Sequence, residues 1–325
     1  MDNENTNNQK AGRLRSVIVI LGIVAAVAIV LAILWSPVIS PALKHLKANK
    51  LISEGDYESA YAILHELGDE EAILESEYNR AMKEVNEGKI IEAYETLVAL
   101  DGYKDSTEQA ASLYVKYEIE KIKMAEVGDY VVFGAYDSAF SEKEKIEWQV
   151  LAKEDDRLLL ISDKALDCQP YNILREEVTW ETCSLRKWLN NTFLNAAFNS
   201  AEQTKILDTN VSADNNPEYR TDPGNVTTDK VFLLSMNEVN KYFNSEESKK
   251  CVPTDYAKAK GASAVVRENC TKNGKGTCTW WLRTPGYTRK YVVTVLPYGG
   301  FFSFGFYADE DWFGVRPALW IDLGE

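Results

Sequence analysis

The sequence predicts an α+β protein in three parts: a hydrophobic transmembrane helix, a short α-helical repeat stalk and a β-rich globular domain. Three observations carry that prediction. Residues 16–35 are apolar and uncharged, and segments 48–68 and 81–101 repeat one another at an offset of 33 residues. From Val127 onward the hydrophobic pattern switches to the period of two that marks strands.

The first part is the run SVIVILGIVAAVAIVLAILW, Ser16 to Trp35. At about 1.5 Å rise per residue, twenty helical residues span roughly 30 Å of hydrocarbon, which is enough to cross a bilayer. A cleaved signal peptide is the alternative. The length of the run and the weak cleavage candidates in SPVISPALKHLK after it favour an uncleaved anchor. Arg13 and Arg15 abut the run, whereas Lys44 lies further beyond it, so residues 1–15 are expected in the cytoplasm with the remainder outside. The expected arrangement is single-pass in the plasma membrane: a tail at 1–15, a span at 16–36, a stalk at 37–125 and an extracellular domain at 127–325.

In the stalk, the matched pairs include Gly55/Gly88, Ala60/Ala93, Tyr61/Tyr94, Leu64/Leu97 and Leu67/Leu100. Such a pattern implies a helix ending at a glycine, a tight turn, and a second helix whose small alanine admits a close neighbour. Tyr103–Ser106 would then cap a further helix through Asp105 or Ser106, with Glu108 in its first turn. Either a spacer or a peptide-binding solenoid fits; about two repeats, where stable grooves need three, favours the spacer. The chain's two histidines, His45 and His65, both fall here. The domain beyond therefore lacks the commonest general base and the Ser-His and Cys-His nucleophile pairs.

The globular part opens with YVVFGAY (130–136), IEWQVLA (146–152) and RLLLIS (157–162), an antiparallel meander by alternation. Residues 179–198 follow as an amphipathic helix, with Leu185, Trp188, Leu189 and Phe193 on one face and Thr182 or Ser184 near its cap. Asp208 to Thr228 reads as a long polar loop. Its Asp and Asn residues could bind calcium, but the spacing of an EF-hand loop is missing and a merely solvated loop is the favoured reading, so no cofactor is expected. The end alternates again, in KYVVTVL, FFSFGFY and GVRPALWIDL. Fifty acidic against 36 basic residues give a net charge of −14, which opposes a phosphate backbone, so no nucleic-acid partner is expected.

The runs LDCQPYN, TWETC with LRKWLNN, NPEY with TDPGN, WWLRTPG and VRPALWI resemble an uncharacterised bacterial domain family of unknown function over Gly128 to Leu323. The GDYESA and GKIIEA turns of the stalk resemble tetratricopeptide-like repeats, although the usual Trp and Pro are absent. More distantly, Arg283 and Gly286 followed by Gly314 and Arg316 are similar to the frame of the formylglycine-generating branch of the C-type lectin fold. That resemblance implies a C-type-lectin-like domain. Two active-site cysteines of those enzymes would follow the turn, and no cysteine follows Cys278 here; the calcium motifs of animal lectins are missing too.

Candidate functional residues concentrate between Gly299 and Phe313, GGFFSFGFYADEDWF, where a hairpin would leave half of the aromatics exposed. Tyr287, Arg289, Tyr291, Tyr298, Phe302, Phe304, Phe306, Tyr307 and Trp312 form the candidate binding set; packing against Trp280 and Trp281 is the competing reading. Trp280, Trp281, Arg283, Gly286, Gly314, Arg316 and Trp320 read as structural, the arginines stacked on tryptophans or paired with carboxylates. Cys270 and Cys278 flank a flexible TKNGKGT loop and could close a disulfide outside the membrane, free thiols being the alternative. The pattern points to a membrane-anchored recognition protein for an extracellular carbohydrate, peptide or protein. An envelope hydrolase using carboxylates such as Asp309 and Asp311 is the runner-up.

Overall fold

The computed structural model describes residues 24–25, 30, 40–137, 142–212 and 214–324. The proposed span at 16–36 lies outside them apart from Val24, Ala25 and Val30; among the described residues no helix is long and apolar enough to cross a membrane. The chain is α+β and divides into two compact units, through Tyr114 and from Val115 onward.

The first unit is helical. A helix over residues 40–54 (α1) is followed by α2 (Tyr57–Leu67), α3 (Glu70–Asn86), α4 (Ile90–Ala99) and α5 (Ser106–Lys123), which runs on into the second unit. The repeat places equivalent turns at Gly55 and Gly88, both with left-handed φ, +81° and +76°. Asp56 and Asp69 cap α2 and α3 by accepting from Ser59 N and Ala72 N. The matched small and branched residues are the buried ones: Ala60 and Leu64 on α2, Ala93 and Leu97 on α4. At the head of α5, Asp105 accepts hydrogen bonds from Tyr78 Oη and the Gln109 amide.

Among the described residues, the second unit holds two five-stranded sheets. Its strands are β1 (Tyr130–Tyr136), β2 (Glu144–Glu154), β3 (Arg157–Ser162) and β4 (Asp167–Cys168), then helices α6 (Ser184–Trp188), α7 (Leu194–Ala197) and α8 (Ser200–Lys205). After these come β5 (Thr209–Val211), β6 (Thr227–Asp229), β7 (Val231–Phe232), α9 (Met236–Tyr242), α10 (Glu246–Lys249) and α11 (Asp255–Ala259). The chain closes with β8 (Thr271–Lys272), β9 (Lys275–Gly276), β10 (Trp280–Pro285), β11 (Tyr291–Val295), β12 (Phe301–Tyr307), β13 (Gly314–Val315) and β14 (Ala318–Asp322). One sheet is ordered β1-β2-β3-β14-β7 and the other β12-β11-β10-β13-β4. The VRPALWI run joins them: Val315 ends β13 in one sheet, Arg316 and Pro317 turn the corner, and Ala318 starts β14 in the other. A proline suits that corner because it has no N–H to offer a ladder.

Both faces of the corner strand are buried, and the two sheets share one core with Phe133, Trp148, Trp180, Phe193, Trp280 and Trp281 inside it. The indoles are satisfied, Trp280 Nε1 donating to Lys249 O and Trp281 Nε1 to Gln169 O. Trp320 is covered by the Arg157 guanidinium, 4.5 Å from the ring centroid.

Two local features depart from the sequence expectation. The helix expected over 179–198 is broken: Leu189–Phe193 forms a π turn between α6 and α7. There the Asn190 amide leaves the helix face to imitate a strand partner, donating to Val231 O (2.8 Å) and accepting from Lys230 N and Val231 N. A π turn is rare and occurs mostly as a single-turn bulge inside an α-helix, which it re-aims without ending. The cap is Cys183, whose Sγ accepts from Arg186 N, rather than Thr182 or Ser184. The loop expected over 208–228 contains the ribbon β5–β6, pinned by a buried Asp229 that accepts from Arg186 Nε, Trp180 Nε1 and Thr227 Oγ1.

Candidate functional site

β12 is an edge strand, paired on one side by β11. Its sequence FFSFGFY alternates as a strand should, but its register breaks. Val292 pairs with Phe306 and Thr294 with Phe302, so one residue on β11 faces three on β12. Gly305 sits in this bulge with φ +83°, and a Cβ there would stand 2.7 Å from Val292 O, so any other residue would be strained. Gly286 opens the other side: a Cβ on it would lie 2.3 Å from Phe304 O. The bulge turns Phe304 outward, where its carbonyl accepts from Tyr287 N at 2.8 Å.

The consequence is a continuous ribbon of rings. Tyr287 and Phe304 stack with centroids 5.1 Å apart and planes 5° from parallel. Tyr219 meets both edge-on. Phe304 then contacts Tyr291, and Tyr291 stacks on Tyr307 at 4.4 Å. In the other direction Phe302, Phe306 and Trp312 follow, and Phe313 ties the ribbon into the core against Trp281 at 4.7 Å. These offset and edge-on arrangements are the favourable ones for aromatic quadrupoles. Tyr287, Phe304 and Trp312 are exposed, at 51%, 38% and 41%, while Tyr291, Phe302, Phe306 and Tyr307 are half-buried.

Charged groups rim the ribbon. The Arg175 guanidinium lies 4.2 Å above the Tyr307 ring and pairs with Asp309 through Nε at 2.9 and 3.0 Å. Glu218 accepts from Ser303 and Tyr219, which holds its carboxyl below the usual range. Beside Arg175, Ile173 and Leu174 are exposed apolar side chains on the same loop.

Two residues of the candidate set fall elsewhere. Arg289 pairs with Asp222 in a polar cleft of about 470 Å³ lined by Glu177, Glu181, Thr182 and Asn225. Tyr298 lines a separate cleft of about 430 Å³ with Glu246, Lys250, Arg267 and Asn269. Tyr219, Arg175 and Glu218 escaped the sequence reading. Tyr219 was legible as an aromatic in an otherwise polar loop; nothing local marks Arg175. Among the described residues no group of three His, Cys, Asp or Glu could hold a metal.

The residues read as structural are buried, and the two arginines differ. Arg283 pairs with Glu238 and donates to Ser212 O and Leu233 O, whereas Arg316 lies between the rings of Trp280 and Phe243, 5.0 and 5.3 Å away. All five cysteines are free and buried. Cys270 and Cys278 are not joined. The hairpin between them closes through Thr277, whose N and Oγ1 both donate to Cys270 O, and Cys278 is drawn instead to Cys251, its N–H donating to Cys251 O.

The fold and this surface define a mixed β-rich domain with an aromatic edge, carried behind a helical segment. Residues 155–323, just over half of the chain, match the family described as "Domain of unknown function (DUF6273)", and the chain belongs to that family. No curated protein and no solved structure matches it.

Proposed function

We propose that this is a single-pass plasma-membrane protein whose C-terminal domain faces the cell exterior and binds a carbohydrate, peptide or protein through the aromatic ribbon. In this reading residues 16–36 are the anchor, the tetratricopeptide-like hairpins are a spacer, and the β-rich domain is a C-type-lectin-like scaffold. The observation that carries it is the ribbon: rings from β11, β12 and three loops converge on one edge and remain partly open to solvent. Apolar surface left in water costs about 25 cal/mol per Å², and a clustered exposed patch is most often a contact site. Its rim of fixed charges, Arg175–Asp309 and Glu218, would give orientation to a ligand whose body stacks on the rings. The hydrolase alternative is weakened because Arg175 already engages the Asp309 carboxylate. The net charge of −14 argues against nucleic acid.

The test is a screen of the detergent-solubilised chain against arrayed glycans, peptides and surface proteins, repeated with a Tyr287→Ala/Phe304→Ala double variant. Removing two central rings from a contact patch is expected to weaken binding by about 2 kcal/mol or more. Unchanged affinity in a folded double variant would move the site to one of the polar clefts.

A further inference from the structure

Cys251 and Cys278 are neighbours through their own backbones, since Cys278 N donates to Cys251 O at 2.8 Å. One direct peptide hydrogen bond keeps two Cα atoms within about 7 Å, the separation that a disulfide bridges. Both residues are shut off from solvent, and Cys251 Sγ lies 3.9 Å from Asp163 O. Arg316 completes the group. It is fully buried and its Nε donates to Ser162 O at 2.8 Å, but Nη1 and Nη2 have no hydrogen-bond partner.

A buried guanidinium with both amino groups unmatched is costly unless an anion stands near it. The nearby carboxylate of Asp163 is engaged by Lys272 at 2.8 Å. The rings of Trp280 and Phe243 flank Arg316 without supplying a charge. Burial pushes the Cys251 thiol up, but the hydrogen bond with Cys278 and the positive charge of Arg316 outweigh it and hold Cys251 below the ordinary cysteine range. Cys278 is driven up by that same hydrogen bond and by burial.

We propose that Cys251 and Cys278 are a redox-modifiable pair: Cys251 reacts as a thiolate held by Arg316, and Cys278 resolves the product into an intramolecular disulfide. The oxidant is a small-molecule disulfide. The Cys251 sulfur attacks one of its sulfurs, forming a mixed disulfide and expelling one thiolate. Cys278 then gives its proton to the expelled thiolate and attacks the Cys251 sulfur, expelling the second thiolate. Two protein thiols become one disulfide, and the small-molecule disulfide becomes two thiols.

Access requires lifting the segment around Cys251, which is held by Ala165 N to Val252 O, Thr254 N to Ala165 O and Cys278 N to Cys251 O. Closure is therefore slow in the folded protein and faster during folding. Bridging also removes the thiolate that faces Arg316, so the reduced form is favoured wherever the arginine is present.

The experiment equilibrates the full chain, in detergent, with graded ratios of reduced to oxidised glutathione. It then acid-quenches, alkylates and maps the peptides by mass spectrometry. The expected result is a linked Cys251–Cys278 peptide, with Cys168, Cys183 and Cys270 alkylated. An Arg316→Gln variant should shift the half-oxidation ratio about tenfold toward the bridge, and Arg316→Lys clearly less. A Cys270–Cys278 link, or five alkylated cysteines at the most oxidising ratio, overturns the proposal. Equal midpoints for wild type and a folded Arg316→Gln overturn the role of Arg316. Should that variant not fold, the wild-type peptide map still decides the pairing.

Discussion

Arg283 uses all its N–H groups: Nε and Nη2 donate to Ser212 O, Nη1 to Leu233 O, and the two Nη atoms grip the Glu238 carboxylate. It thereby locks the start of α9, the β5–β6 connection and β10 together. Truncation to alanine would strand Glu238 and two carbonyls, so Arg283→Ala should cost about 3–5 kcal/mol, read as a fall in the denaturation midpoint. Arg283→Lys should recover only part, because an ammonium cannot reproduce the planar fork. The frame of two arginines was legible in the sequence. Their division of labour was not, because partners such as Ser212, Leu233 and Ser162 are set by the tertiary fold. Glu202 offers a residue-scale test with pH. It closes the capping box of α8 with Asn199, yet burial raises its carboxyl above the usual range despite the backbone hydrogen bond from Asn199. The native state thus holds this proton more tightly than the unfolded chain, so the group's contribution to stability is greatest below the ordinary carboxylate range and declines as pH rises through the raised value. A Glu202→Gln variant keeps an N3 side chain able to complete the box and should flatten that decline in denaturation curves across the interval. An unaltered slope would contradict the assignment.

At the scale of elements, alternation read β1, β3 and β12 directly, since YVVFGAY, RLLLIS and FFSFGFY coincide with Tyr130–Tyr136, Arg157–Ser162 and Phe301–Tyr307. Alternation could not show the bulge at Gly305, because a register break depends on the partner strand. It also could not show the π turn, since the Asn190 side chain finds its partners forty residues on, at Lys230 and Val231. The same limitation separated the candidate set. Tyr287, Tyr291 and Phe304 converge because β11 and β12 pair, while Arg289 and Tyr298, close to them in sequence, are turned into two other clefts. The bulge is what presents the ribbon, so Gly305→Ala is a sharp probe of it. A left-handed φ and a Cβ overlapping Val292 O together should cost about 1–3 kcal/mol. On the proposed reading of the ribbon as a contact site, the variant should also lose binding out of proportion to its stability, because restoring regular pairing would rotate Phe304. Binding retained by a measurably destabilised Gly305→Ala protein would show that the ring order along the edge does not depend on the bulge.

For the whole molecule, the question is where the β-rich unit begins. The family match starts at residue 155, yet β1 and β2 precede it and form one flank of the sheet that β3 and β14 continue. The change of hydrophobic period near Val127 suggested a start there, because a helix and a strand differ in period whether or not they share a core. The packing sets it earlier. Ile119, Ile122 and Ala125 belong to the same core as Phe133 and Trp148, and the compact unit begins at Val115. Lys153 on β2 fastens this helical lead-in by donating to Lys123 O and Ala125 O, so a cation meets the carbonyls at the end of α5. Deleting two buried isoleucines exposes the surface they cover, at about 2–5 kcal/mol each when a core site cannot collapse. A fragment of residues 115–325 should therefore melt cooperatively, whereas one of 127–325 should melt at least 10 °C lower or aggregate, the shift expected for several kcal/mol in a domain of this size. Coincident melting curves for the two fragments would mean that the end of α5 is dispensable and that the strand-rich sequence alone closes its core.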